Sequence, residues 1–281
     1  MGIKVLKPNT NAQRNMSYLV REDLTASKPS VRSLVKTGKK VTGRNNGKIS
    51  IRHRGGGTRP KYRMVDFKRT DKLGIPGKIA AIEYDPNRTV HIALVNYVDG
   101  EKRYILAWKG AAVGTSVVTD LNAKANDGNR MQLQNIPVGF QIYNVELQEN
   151  KGGQIARSAG QSAKLLSVEG ELAQVELRSG EIRLVRKTCF ATIGTLGNEE
   201  HSLVKVGKAG RVRHKGRRPQ VRGKVMNPID HPHGGGEGSS PIGMKAPKTP
   251  WGALALGVKT RRKKNPTDKF VLRSRHRAKK K

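Results

Sequence analysis

Short runs of alternating apolar and polar residues fill the middle of the chain. The first set is KIAAIEY, TVHIALVNY and RYILAW, which are separated by the turn-forming clusters DPNR and VDGEK. A second set follows the stretch NAKANDGN and consists of FQIYNVELQ, SAKLLSVE, LAQVEL and EIRLVRK. In LAQVEL, Ala173, Val175 and Leu177 alternate with Gln174 and Glu176, which is the period of a half-buried strand. The pattern predicts two successive groups of β-strands.

The spacing of these strands favours small closed barrels over a parallel sheet, because the strands are short and no long helical pattern separates them. We expect one barrel over residues 60–125 and another over residues 126–198. No internal repeat is strong enough to indicate a solenoid. The predicted fold class is all-β, with two barrels and long extended ends.

The two ends, residues 1–59 and 199–281, differ from the middle in composition. Most aromatic residues lie between Tyr62 and Phe190, whereas the ends are strings of Lys and Arg interrupted by Gly and Pro. Such segments bury too little apolar surface to offset the cost of ordering, about 1–2 kcal/mol per residue. We therefore expect two basic arms that are mobile alone and become ordered against a partner.

The net charge indicates the kind of partner. The chain has 56 Lys and Arg against 21 Asp and Glu, a net charge of +35, and most of the excess lies in the two ends. This excess implies a polyanion, and a membrane is disfavoured because no apolar run approaches the roughly 18 residues of a spanning helix. A single cysteine, Cys189, excludes an internal disulfide. Nucleic acid is the expected partner.

A glycine triplet at Gly55–Gly57 is the first candidate contact. It is no phosphate loop of the Walker type, because no G-x-x-x-x-G-K-[ST] pattern surrounds it. Basic residues flank it, and glycine lets main chain approach another surface closely. The predicted contact comprises Arg52, His53, Arg54, Gly55, Gly56, Gly57 and Arg59.

A second glycine-rich stretch, NPIDHPHGGGEG, admits several functions. His231 and His233 with Asp230 and Glu237 are candidate zinc ligands, although the helical spacing H-E-x-x-H is absent. His231 next to Asp230 is also a candidate oriented base, although no known motif ties a nucleophile to it. A third interpretation is a nucleic-acid surface with backbone N–H groups on phosphate, and a fourth is a loop packed on its own domain. The basic flanks favour the third, whose residues are Asn227, Asp230, His231, His233, Gly234, Gly235 and Gly236.

Further candidates lie outside these two stretches. RSAG at Arg157–Gly160 is either a plain turn or a loop whose Arg157 and Ser158 meet phosphate. Trp251 either stacks on a base or anchors the arm. The remaining predicted nucleic-acid contacts are arginines of the C-terminal arm, namely Arg211, Arg213, Arg217, Arg218, Arg222, Arg261 and Arg262.

Several long motifs together resemble a known family. RRPQVRGKVMNPIDHPHGGGEG, GGQIARSAGQSAKLL, ATIGTLGN, TPWGALALGVKTR and YRMVDFKR are similar to the universal large-ribosomal-subunit protein of the "L two" family, in its bacterial form. The resemblance covers essentially the whole chain. It implies an OB-fold barrel followed by an SH3-like barrel, with arms that penetrate large-subunit ribosomal RNA (rRNA).

The resemblance also implies a function. The family is a primary rRNA binder that supports subunit association, tRNA binding and assembly of the peptidyl-transferase region, and it is not an enzyme. Its implied partners are rRNA, other ribosomal proteins and the small subunit through intersubunit bridges, in cytoplasmic ribosomes and not at a membrane. No intrinsic cofactor is implied, although Mg²⁺ shared with rRNA fits.

At the level of residues, the resemblance makes Asp230 and His231 an RNA-proximal site needed for an active peptidyl-transferase centre, and it favours RNA contact for Arg157. Lys224, His214 and Thr58 depart from the usual family pattern, so local contacts there are in doubt. Two rival functions remain, a histone-like DNA compactor and a metallohydrolase centred on His231 and His233.

Overall fold

The computed structural model describes residues 2–26, 28–38, 42–262 and 264–276. The parts of the predicted arms at residues 39–41 and 277–281 therefore lie outside the described residues. Among the described residues, strands and isolated β-bridges together hold 29% and helices 9%. The predicted all-β class, an OB-fold barrel followed by an SH3-like barrel, is confirmed.

The described strands are numbered in chain order. They are β1 Ile3–Val5, β2 Ser17–Leu19, β3 Val35–Thr37, β4 Arg44–Asn45, β5 Lys48–Ile49, β6 Lys61–Arg63, β7 Gly77–Glu83, β8 Ile92–Tyr97, β9 Lys102–Leu106, β10 Ser116–Val117, β11 Arg130–Gln132, β12 Gln141–Tyr143, β13 Ala163–Glu169, β14 Leu172–Leu177, β15 Ile182–Arg186, β16 Phe190–Ile193 and β17 Val271–Arg273. One α-helix, α1, spans Ala209–His214, and 3₁₀ turns span Thr70–Lys72, Leu133–Asn135, Glu199–Leu203, Gly223–Val225 and Pro266–Phe270.

The described chain divides into two compact units. The first, which we call the barrel unit, comprises residues 1–39, 59–208 and 269–281; the second, the loop unit, comprises residues 40–58 and 209–268. Each unit draws on segments far apart in the sequence. The four sequence ranges given above for arms and barrels remain a prediction.

The first barrel is built on a four-stranded antiparallel sheet in the order β10-β7-β8-β9. A shift of register between Ile79 and Ala81 bends β7, as closure of a small barrel requires. Its core contains the Ile- and Val-rich inner faces of β7 and β8, together with Tyr97 and Trp108. These are the residues whose apolar pattern predicted the strands.

The second barrel lies in a seven-stranded antiparallel sheet in the order β11-β16-β12-β13-β14-β15-β17. In β14, Ala173 and Val175 are fully buried and Gln174 and Glu176 are only half-buried, which confirms the predicted alternation at these four positions. Leu177, predicted to share the inner face, is half-buried at the end of the strand. The edge strand β17 comes from the C-terminal segment. Arg273 in this strand donates a hydrogen bond to a Glu176 carboxylate oxygen at 2.7 Å.

A buried guanidinium joins the two halves of the barrel unit. Arg130 is fully buried; it donates to the carbonyl oxygens of Lys68 and Asn144, each at 3.0 Å, and to Glu146 Oε1 at 2.8 Å. Glu146 also accepts from the backbone N–H groups of Gly152 and Phe190. Burial lowers the pKa of Arg130 to about 10, so the group is still charged at neutral pH.

The loop unit has little regular structure. The strands β4 and β5 form a hairpin whose turn residues, Asn46 and Gly47, both have positive φ, as a two-residue Asn-Gly turn requires. The rest of the unit consists of α1, the 3₁₀ turn Gly223–Val225 and glycine-rich loops. Among the helices of the described chain, none has the length and apolar character needed to cross a membrane.

Candidate nucleic-acid interface

The first glycine triplet pairs with the segment that follows α1. The N–H of Gly55 donates to the carbonyl of Gly216 at 3.0 Å, and the N–H of Thr58 donates to that of His214 at 3.0 Å. Arg54 and Arg217 form an antiparallel bridge between the two segments. The structure thus brings together predicted site residues from both basic ends.

Gly57 is required by this pairing. Its φ is +84°, and a Cβ at this position would lie 2.7 Å from both the nitrogen of Gly216 and the carbonyl oxygen of His214. Both obstacles are backbone atoms, which cannot rotate away. The close approach that the sequence indicated here is made, at Gly57, to another part of the same chain.

Most arginines of this region are not neutralised by carboxylates. In the described part of the chain, no ion pair involves Arg52, Arg54, Arg213, Arg217, Arg218, Arg222 or Arg262. Arg261 differs, because it is paired with Asp268. A dense set of unpaired guanidinium groups with positive-φ glycines between them is suited to a phosphate backbone.

Trp251 lies in the same unit. Its side chain is 80% exposed, and the guanidinium carbon of Arg52 lies 5.4 Å from the ring centroid. The ring is therefore not buried as an anchor and presents a face for stacking.

The second glycine-rich loop is held by its own backbone. The N–H groups of Asp230 and Gly235 donate to the carbonyls of Asn227 and Met226, each at 3.0 Å. Gly234 has no room for a side chain, since a Cβ would lie 2.2 Å from the carbonyl oxygen of Asn227. The loop is a defined structure in which Asn227 and Asp230 are exposed.

The two histidines of this loop face inward. His231 is only 8% exposed; its Nδ1 accepts a hydrogen bond from the N–H of His233 at 3.0 Å, and its ring fills the space next to Gly223. His233 Nε2 accepts from the N–H of Lys248 at 2.8 Å, and the two ring centroids are 4.6 Å apart. Each imidazole therefore uses one nitrogen as an acceptor for the loop itself.

The alternatives based on metal or catalysis find no supporting geometry here. Within the described ranges, no group of three or more His, Cys, Asp or Glu side chains is placed to hold a metal ion. No hydrogen bond between Asp230 and His231 is found there either, whereas an oriented base would need one. The burial of His231, the two backbone-to-imidazole hydrogen bonds and the surrounding glycines make the histidines structural members of the loop.

Arg157 lies in the barrel unit, beside a groove. Its guanidinium donates to the carbonyl of Gly153 at 3.0 Å and lies 4.4 Å from the ring centroid of Phe67. Arg88 approaches the same ring at 5.4 Å while paired with Asp85. The groove has a volume of about 630 Å³.

Sequence reasoning missed other basic residues of this groove. Lys68 and Lys151 line it together with Arg157. Lys68 stands in the motif YRMVDFKR, and Arg88 ends the cluster DPNR, which was interpreted only as a turn. The sequence shows Lys68 next to Phe67, but it does not show that Arg157 contacts the same ring. That contact is found only in the folded chain.

The other predicted residues are distributed over both units. Arg59 and Ser158 are exposed in the barrel unit. In the loop unit, Arg211 and Arg213 are half-buried in α1, and Gly236, Arg222 and Arg262 are exposed.

The chain combines two small β-barrels with loops that are rich in arginines without carboxylate partners. This combination is typical of RNA-binding proteins built on OB-fold and SH3-like domains. Residues 31–119 match the family model described as Ribosomal Proteins L2, RNA binding N-terminal domain, and residues 126–252 match Ribosomal Proteins L2, C-terminal domain. The chain belongs to the ribosomal protein L2 family, whose members are structural RNA-binding proteins of the large ribosomal subunit. The family is generally non-enzymatic.

Proposed function

We propose that the chain is a primary rRNA binder whose loop unit lies against the large-subunit RNA. It supports assembly of the peptidyl-transferase region, tRNA binding and, with other ribosomal proteins, subunit association in cytoplasmic ribosomes. The main support is the set of arginines without carboxylate partners around Gly55–Gly57 and Arg217. Mg²⁺ in this proposal is shared with RNA phosphates and is not held by a protein cage.

The RNA contact has a direct test in the salt dependence of binding. In the double variant Arg217→Gln/Arg218→Gln, affinity for a large-subunit rRNA fragment should fall, and the slope of log K against log salt should decrease by about 0.7–0.9 for each phosphate that is no longer neutralised. The matched control is Lys187→Gln/Arg273→Gln, which removes two cations already paired with Glu171 and Glu176. An unchanged slope in the first variant, or equal affinity of the native chain for duplex DNA, contradicts the proposal.

The second loop is proposed to act through its shape. Because His231 is buried and bonded to His233, we infer that it positions the exposed Asp230 and Asn227 against RNA and transfers no proton. Large subunits reconstituted with His231→Ala should lose peptidyl-transferase activity together with chemical protection of the rRNA under the loop. Gly210→Ala is the control, since a Cβ there meets no atom within 4 Å and the backbone at this position does not have a positive φ. Loss of activity with an unchanged protection pattern refutes a positioning role.

A further inference from the structure

The barrel unit contains a second cavity, of about 450 Å³, lined in part by the first barrel's core residues Ile82, Ala107 and Trp108. Its apolar wall includes Ile82, Trp108 and Val113, and its polar wall includes His91, Asn198 and Glu200. None of these residues belongs to the candidate RNA contacts described above. The cavity is large enough for one extended side chain from another molecule.

Three polar side chains at this cavity have buried atoms without partners in the described chain. His91 is 5% exposed, and neither ring nitrogen has a hydrogen-bond partner among the described residues. Asn198 Oδ1 and Glu200 Oε2 are buried and unpartnered in the same way. The amide nitrogen of Asn198 donates to the carbonyl of Thr89 at 2.5 Å, so the orientation of this side chain is fixed. Unpartnered buried polar groups are costly, and such a set indicates a ligand.

The unpartnered atoms are mainly acceptors. Burial lowers the pKa of His91, so its ring is neutral and one of its nitrogens accepts. The two side-chain oxygens of Asn198 and Glu200 also accept. A complementary ligand must therefore supply several N–H donors.

The charge of the cavity lining disfavours phosphate. Asp23, Glu199 and Glu200 line it, and the cation among its described lining residues is Lys109, which is already paired with Glu199 at 2.7 Å. The lining is thus net negative on a chain of net charge +35. An RNA backbone is repelled here, whereas a cationic side chain is attracted.

We propose that this cavity is a docking site for an arginine side chain of a basic partner protein. A guanidinium group has five N–H donors and no acceptor, which matches the three unpartnered acceptor side chains. The apolar wall formed by Ile82, Trp108 and Val113 accommodates the methylene stem. A nucleobase fits less well, because its own acceptors would face Glu200. This interaction is separate from RNA binding, and each can fail without the other.

The test uses the fluorescence of Trp108 in the full chain. The chain has two tryptophans, so Trp251→Phe leaves Trp108 as the single reporter at the cavity. In 150 mM salt, about the physiological ionic strength, acetyl-Gly-Arg-Gly-amide should change this fluorescence in a saturable way. The corresponding citrulline peptide, which is isosteric and neutral, should not.

The variants Glu200→Gln and Glu171→Gln complete the experiment. Both remove one negative charge, but Glu171 is an exposed partner of Lys187 and does not line the cavity. We expect Glu200→Gln to weaken peptide binding about tenfold, as for loss of one charge-assisted hydrogen bond, and Glu171→Gln to leave it unchanged. The proposal is overturned if the arginine peptide gives no saturable signal or if the citrulline peptide binds equally. It is also overturned if the two variants bind the arginine peptide alike. Tighter binding of guanosine monophosphate, with displacement of the peptide, overturns it as well. The comparison of the arginine and citrulline peptides uses a chain without a cavity substitution. It therefore tests the proposal even if the Glu200→Gln variant misfolds.

Discussion

Arginine has opposite surroundings in the two units. In the barrel unit, Arg130 is fully buried, and all its described hydrogen bonds are to oxygens of its own chain. In the loop unit, Arg217 and Arg218 are exposed and have no carboxylate partner among the described residues. The first arginine is a structural element of a folded core. The others carry charge that only an external anion can neutralise.

The glycines of the two units also differ in what occupies the space beside them. In the first barrel, Gly77 makes room for the side chains of Val95 and Tyr97, so a side chain of the core occupies the space. In the loop unit, Gly57 makes room for the backbone at Gly216, and Gly234 for the carbonyl oxygen of Asn227. The barrels are therefore stabilised by apolar burial, whereas the glycines of the loop unit permit close backbone packing.

The largest expected effect is on Arg130. Replacing it by Met leaves the carboxylate of Glu146 buried without its cation, and removing one partner of a buried pair costs about 3–5 kcal/mol. We expect Arg130→Met, made in the Trp251→Phe background, to lower the free energy of unfolding by that amount, as measured by urea denaturation with Trp108 fluorescence.

Two controls sharpen this expectation. Arg273→Ala breaks a partly exposed pair with Glu176 and should cost less than about 1 kcal/mol. Arg130→Met combined with Glu146→Leu removes both buried charges and should recover much of the stability. A single variant as stable as the native chain would show that Arg130 belongs with the external arginines, and the comparison between the units would not hold.

The barrels were predictable because their signal is local. Alternation in LAQVEL requires only neighbouring residues, and the structure buries Ala173 and Val175 as that pattern indicates. Arg130 gave no such signal, since it stands in the sequence GNRMQL like any surface arginine. Its environment depends on Lys68, Asn144 and Glu146, which are distant in the sequence and meet only in the folded chain.

The glycine-rich loops were predicted as sites, but the reason for their glycines was only partly seen. The sequence indicated a close approach of backbone to a partner, and for Gly57 and Gly234 the neighbour is the chain itself. His231 similarly looked like a group available at a surface, whereas its ring lies inside the loop with His233. A pattern of residue types can indicate a close approach of the backbone, but it does not show whether the neighbour is a partner or the same chain.

The smaller expected effect is on Gly57 and is confined to the loop unit. Gly57→Val places a β-branched side chain at positive φ and against the backbone at Gly216, a strain of about 1–3 kcal/mol. The N–H groups of Gly55 and Thr58 should then exchange faster with deuterium, and affinity for the rRNA fragment should fall. The midpoint of barrel unfolding should not change, because the core contains no atom of this loop. Gly210→Ala is the matched control, since a Cβ there meets no atom within 4 Å and alanine favours the helix α1. A lower unfolding midpoint of the barrels in Gly57→Val would mean that the two units fold as one. The arrangement of the exposed arginines would then depend on the barrel core and not on the pairing of residues 53–58 with residues 214–218.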